Sequence, residues 1–167
     1  MLIRSENEKD IKAVHSLNTS AFGTEAETNL VDALRKKTHP YSSLVAEGNN
    51  EVVGHILFTP VSLSGHSEIN IMGLAPMAVA PEHQNKGVGS KLIYAGFERC
   101  KELRFDAIVV LGHSEYYPRF GFLPSSHFGI SCEFKVLEEA FMVIELQSDY
   151  LRGKSGNIKY HEEFKNV

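Results

Sequence analysis

Near residue 79 a strand-like stretch gives way, across a turn holding two glycines, to a helix-like stretch, and that junction limits the fold more than any other feature. Residues 69–79 read as one extended, largely apolar run. Over 87–103, Val88, Leu92, Gly96, Cys100 and Leu103 recur on one helical face, with Lys91, Glu98 and Glu102 on the other. The turn between them reads Val79-Ala-Pro-Glu-His-Gln-Asn-Lys-Gly-Val-Gly-Ser90. Glycine lets main chain approach a ligand closely, and the first amides of a helix have no partner inside it. With the positive end of the helix dipole they form an anion site, and a pyrophosphate is the guest that suits it.

The other elements read as follows. Residues 2–4 form a short strand, and Ser5-x-x-Glu8 has the form of a capping box. Ile11, Val14, Leu17, Ala21 and Phe22 then line one face of a helix that Gly23 ends. Thr24-x-x-Glu27 repeats the capping pattern before Leu30, Val31 and Leu34 on a second helix. Residues 43–46 and 52–63 are strands joined by Gly48-Asn49-Asn50. In the longer one, Val53, Leu57, Val61 and Leu63 share a face with His55, read as a core residue. Pro76 cannot donate to a ladder, so a bulge or an edge is expected there. Residues 106–111 form a strand buried on both faces, 115–119 a short irregular helix, and 141–146 the last strand. The chain reads as one domain over 1–167, with a core of about 2–146 and a polar tail over 147–167 that is peripheral from Gly153.

A chain of 167 residues that is 43% apolar and 23% charged is an ordinary globular domain. Its net charge of -4 excludes the basic face of a nucleic-acid binder. Cys100 and Cys132 make no disulfide framework, and no cysteine or histidine pair has zinc-ligand spacing, so no metal is expected. The charged start, Met1-Leu-Ile-Arg-Ser-Glu, carries no leader core, and no apolar run is long enough to span a bilayer; a cytoplasmic protein free of membranes is expected. Asn18-Thr19-Ser20 matches a glycosylation acceptor, which has no use in that compartment.

Two familiar phosphate loops do not fit. A dinucleotide fingerprint needs a small residue where Leu92 stands, and the nearest match to a P-loop has Ser148 in place of its first glycine. What the turn does resemble, in Val79-x-Pro81-Glu82-x-Gln84-x-Lys86-Gly87-x-Gly89-Ser90-x-Leu92, is the coenzyme A signature of the GNAT superfamily of N-acetyltransferases. The order of elements resembles that fold over residues 2–146. Gly112-His-Ser-Glu-Tyr-Tyr-Pro-Arg-Phe-Gly-Phe122 is similar to a segment of its YhbS-type members. The resemblance implies an α/β (α+β mixed) sheet of about six to seven strands with helices on both faces. It implies acetyl-CoA as cosubstrate, its pyrophosphate held by amides of Gln84, Asn85, Lys86, Gly87, Val88, Gly89 and Ser90. Its pantetheine arm would pair with the backbone of Met77, Ala78 and Val79 like an added strand.

The implied reaction is transfer of an acetyl group to a primary amine, of a small molecule or a peptide, by direct attack in a ternary complex. It requires a neutral amine, a polarised carbonyl and a proton for the departing sulfur. A main-chain N–H freed by a bulge near residues 76–78 would serve the carbonyl oxygen. Tyr117 matches the family's general-acid tyrosine in Tyr-x-x-x-Gly-Phe; with a free phenol near ~10 and a thiol near ~8.5, it needs a lowered pKa or acts as a hydrogen-bond donor. Tyr116 is the weaker claimant, since neighbours on a helix point ~100° apart. Base candidates are His113, Glu115 and Glu27, because residues 70–80 carry no carboxylate where relatives keep one. Val110 stands where many relatives place a pantetheine-binding asparagine. The acceptor is expected between residues 22–27 and the segment after Gly121, and a homodimer is the expected assembly. The alternative is a non-catalytic acyl-CoA-binding sensor or interaction module.

Overall fold

The computed structural model describes residues 1–166. In chain order the elements are β1 (Leu2–Ser5), α1 (Ile11–Phe22), α2 (Ala26–Lys37), β2 (Ser42–Gly48), β3 (Glu51–Leu63), β4 (Ile71–Val79) and α3 (Val88–Glu102). There follow β5 (Ala107–Leu111), β6 (Leu123–Pro124), β7 (Ile130–Cys132), β8 (Phe141–Glu145) and β9 (Gly156–Lys159). The main sheet runs β1-β2-β3-β4-β5-β8-β6, while β9 joins β3 and carries β7. Its pairs are antiparallel except β4 with β5. The expected mixed sheet with helices on both faces is present; the additional strands are the short β6, β7 and β9, which have too few residues for a legible alternation.

Alternation decides which helix covers which face. Leu44, Ala46, Ile56, Phe58, Met72 and Leu74 face α3 and meet Val88, Leu92, Ile93 and Phe97. Their neighbours Val45 and Leu57 point the other way, onto Val14, Leu30, Val31 and Leu34 of α1 and α2. Small residues set the approach of α3: a Cβ on Gly96 would lie 2.2 Å from the Phe58 ring, and one on Gly54 2.9 Å from Val88. Cys100 is fully buried here, and burial pushes its thiol up to about 12.

Beside the apolar contact with Val45 and Leu57, a polar layer also lies beneath α1. His55, fully buried, accepts at Nδ1 from Asn18 (3.3 Å), which leaves its Nε2–H to donate to Ser43 Oγ (2.8 Å). Ser43 donates to Glu6 (2.9 Å), and Glu6 is clamped by Arg35 at 2.8 and 2.5 Å. Arg35 also reaches Asp32 at 2.7 Å. Burial, more than any neighbouring charge, lowers the His55 pKa to about 4. Asn18 is wholly buried in this layer, so its glycosylation motif is inaccessible.

Four expectations need correction. The capping box at the first helix is Asn7 with Asp10, not Ser5 with Glu8; Arg4 holds the Asp10 carboxylate at 2.7 Å. At Thr24-x-x-Glu27 the hydroxyl accepts from the Ala26 amide (3.3 Å) and donates to the Glu27 carboxylate (3.0 Å), so the reciprocal box is replaced by a side-chain pair. Val53 does not share the face of Leu57, because the β2–β3 register slips there and turns Val53 toward α3. The tail is not peripheral. Ser62 and Leu63 pair with Lys159 and Ile158, and Ile158 and Tyr160 are buried over Leu63, Val109 and Val143. The C-terminal segment thus completes the face that α1 and α2 cover only in part.

Candidate active site

The cleft begins where β4 and β5 part. Their parallel pairing ends at Leu74 opposite Val110, and on its other side β4 slips against β3 between Ile56 and Phe58. That places one extra β4 residue at Ala75–Pro76, the bulge expected from the proline. Beyond it, the Ala80 amide donates to Val53 across β3 at 2.8 Å. By alternation Ala78 also turns its amide and carbonyl toward β3, while Met77 and Val79 turn theirs into the gap. A cleft of about 1000 Å³ fills the gap, walled by residues 74–77 and Val79, the turn into α3, the end of β5 and the segment after it.

One end of the cleft is built from main chain. The Lys91 amide closes the first turn of α3 onto the Gly87 carbonyl (3.1 Å), and among the described residues no side chain caps the amides of Val88, Gly89 and Ser90. Asn85 and Gly87 both have left-handed backbone, with φ of 61° and 83°, a conformation that gathers successive N–H groups toward one point. A Cβ on Gly87 would meet nothing within 4 Å, so its side of the turn is open. Gln84 ties the turn down by donating to the Val79 carbonyl at 3.1 Å. These are the requirements of an anion cradle, and a diphosphate fits them.

The opposite wall is aromatic. Tyr117 lies against Gly112, where a Cβ would sit 2.6 Å from its ring, and it is 8% exposed. Burial, reinforced by neighbouring Tyr116, pushes its phenol up to about 12. The lowered pKa considered from the sequence is therefore absent, and at neutral pH Tyr117 is a proton-bearing donor. Tyr116 is less buried and also has a raised pKa, chiefly from burial, while a hydrogen bond to Ser90 opposes the shift. Arg119 lies over its ring, 4.8 Å from the centroid. Both tyrosines line the cleft, with rings edge to face at 5.1 Å, but Tyr116 reaches the α3 turn while Tyr117 belongs to the core beneath.

The structure brings Met77, Val79, Gln84, Asn85, Gly87, Val88, Gly89, Ser90, His113 and Tyr117 to the cleft wall. Glu27 stands there too, with Phe22 and Leu30. It does not bring Ala78, Lys86 or Glu115. Ala78 turns its main chain to β3 and is buried beside Leu17, while Lys86 and Glu115 are exposed outside the lining. Val110 is buried under α3, so the asparagine position of relatives belongs to the core here. Of the chain after Gly121, Phe164 lines the cleft, held against α2 and edge to face with Tyr160. Its sequence signal was the apolar run Ile158, Tyr160, Phe164 inside a polar tail, but nothing local ties that run to a site far upstream.

Comparison with known proteins gives a consistent answer. Residues 2–124 match the model of the acetyltransferase (GNAT) domain. The N-acetyltransferase YhbS of Escherichia coli (strain K12) is 34% identical over 165 residues, spanning 98% of both chains. N-acetyltransferase YjhQ of the same strain is 40% identical over 121 residues, 71% of this chain and 67% of that one. The crystal structure of Escherichia coli YhbS in complex with CoA superposes with a TM-score of 0.92, covering 98% of this chain and 91% of that one. A GNAT family acetyltransferase from Brucella melitensis, in complex with acetyl-CoA, is 32% identical and superposes at 0.80, covering 98% and 97%. Sequence, fold and cleft agree, and the chain belongs to the GNAT family of acetyltransferases.

Proposed function

We propose that this acyltransferase moves an acetyl group from acetyl-CoA to a primary amine by direct attack within a ternary complex. The observation that carries the reading is a single cleft with an uncapped helix N-terminus on one wall and a protonated phenol on the other. Acetyl-CoA, which supplies the activated acyl group, fits the cradle of Asn85–Ser90, and the free edge of β4 at Met77 and Val79 suits its extended arm. The two relatives solved with CoA and acetyl-CoA support that assignment. Main-chain N–H groups beside the Ala75–Pro76 bulge face the charge that grows on the carbonyl oxygen. Tyr117 donates its hydrogen to the departing sulfur, by hydrogen bond more than by full transfer, since its own pKa lies above that of a thiol.

The balance is simple. The N–C bond forms and the C–S bond breaks; the ammonium gives up two protons, one reaches the thiolate, and one leaves to solvent. His113, at the cleft wall, is the group placed to receive that last proton directly or through water. A cytoplasmic setting and a homodimer belong to the same proposal, the latter tested by sedimentation velocity. Among the described residues, no helix is long and apolar enough to cross a membrane.

The test has two arms. Calorimetry with acetyl-CoA should show binding, and thiol release should follow on adding an accepted amine. Tyr117→Phe should lower kcat by roughly 100-fold, the usual scale for a lost acid, with acetyl-CoA affinity unchanged. Unaltered turnover in that variant removes Tyr117 from the chemistry; binding without release for any amine leaves a coenzyme-binding module.

A further inference from the structure

The charge in the cleft is divided. At the α3 end lie the helix N-terminus and Arg119, both positive; beyond them lies one carboxylate, Glu27, the only acidic side chain among the described lining residues. Glu27 Oε2 accepts from Thr24 (3.0 Å), and its Oε1 has no protein partner among the described residues. The groups that share its wall are apolar. Phe22 is 40% exposed and Leu111 39%, and both face this cleft. Leu30 and Phe164 complete the wall.

From this wall, and resting on the acetyl-transfer reading above, we infer that the acceptor is a small monoamine with an apolar, preferably aromatic, body. Its ammonium lies at Glu27, and its body lies against Phe22, Leu111 and Phe164. The chemistry selects against the other common amines. A polyamine needs a second anion, and this wall holds one carboxylate. An amino sugar would lose water from its hydroxyls against side chains that cannot hydrogen-bond, a cost without return. Exposed aromatic faces favour an ammonium with hydrocarbon beside it, by burial and by cation–π attraction together. Glu27 here is an anchor that sets specificity, distinct from the groups that act on the sulfur.

The experiment measures steady-state acetylation by the full chain at saturating acetyl-CoA. The acceptors are 2-phenylethylamine, hexylamine, spermidine, glucosamine and a tripeptide beginning with phenylalanine. The expected result is a kcat/KM for 2-phenylethylamine at least ~10-fold above those for spermidine and glucosamine, the scale on which an apolar pocket discriminates. Phe22→Ala and Phe164→Ala should each raise the KM for 2-phenylethylamine several-fold without changing acetyl-CoA affinity. Phe22 is exposed, so its variant reports even if Phe164→Ala weakens the fold. Glu27→Gln should raise KM for the amine far more than it lowers kcat. Spermidine, glucosamine or the peptide as the best acceptor overturns the inference while leaving acetyl transfer intact. A Glu27→Gln variant that loses kcat at constant KM overturns the anchor. Coenzyme binding with no turnover of any amine overturns both this inference and the function it rests on.

Discussion

α1 and α3 cover opposite faces of one sheet and are fastened by different means. α3 is drawn close by absence: Gly96 makes room for the Phe58 ring, Gly54 for Val88 and Leu92, and the contact is almost wholly apolar. α1 and α2, besides their apolar contact with Val45 and Leu57, sit over a chain of hydrogen bonds that runs from Asn18 through His55, Ser43 and Glu6 to Arg35. Close-packed hydrocarbon is indifferent to pH and intolerant of added volume. A buried polar layer tolerates little loss of a partner and is tied to protonation. α3, with the proposed coenzyme cradle at its start, is thus held by packing that pH does not touch, while α1 and α2, beside the proposed acceptor wall, rest on a layer that acid can loosen.

The largest expected effect breaks the polar face. Arg35→Ala leaves the Glu6 carboxylate, 4% exposed, without its guanidinium, and should cost about 4 kcal/mol in denaturant unfolding. A loss under 1 kcal/mol would mean that the layer contributes little. On the other face, Gly96→Leu drives side-chain atoms into Phe58 and should cost about 3 kcal/mol, with the pH dependence of stability unchanged from the parent. The smallest effect sharpens the contrast. His55 titrates near 6.5 when unfolded and at about 4 when folded, so between those values the unfolded chain binds the extra proton. Stability therefore falls as pH drops through this window, by about 2 kcal/mol at pH 5 from this group. His55→Gln should flatten that acid slope; an identical slope in the variant would place the titrating group elsewhere.

The same division explains what could be read from the sequence. The α3 side is local: strand end, turn and helix start lie within about a dozen consecutive residues, so Gln84, Gly87 and Gly89 announce it. Tyr117 was legible through its fixed spacing from Gly121, and His55 through its place among apolar neighbours. The proposed acceptor wall is not local. Phe22, Leu111 and Phe164 come from three distant segments, and only the sheet brings them together. The errors have the same root. A one-residue slip turned Val53 over, and competition from Asn7 and Arg4 took the capping box from Ser5 and Glu8. Neither event leaves a periodic trace. The buried Ile158 and Tyr160 were masked by polar neighbours, and a strand as short as β9 gives alternation too few positions to show.

β9 meets β3 through pairs roughly a hundred residues apart in the chain, the kind of closure that folding reaches slowly and late. Two register pairs and the Ser64–Asn157 hydrogen bonds join it to β3, and Phe164 follows directly behind. Native-state hydrogen exchange should find amides of this strand opening well before those of α3, in a separate unit. The molecule would then breathe at the Phe164 wall of the cleft while the turn into α3 stays shut.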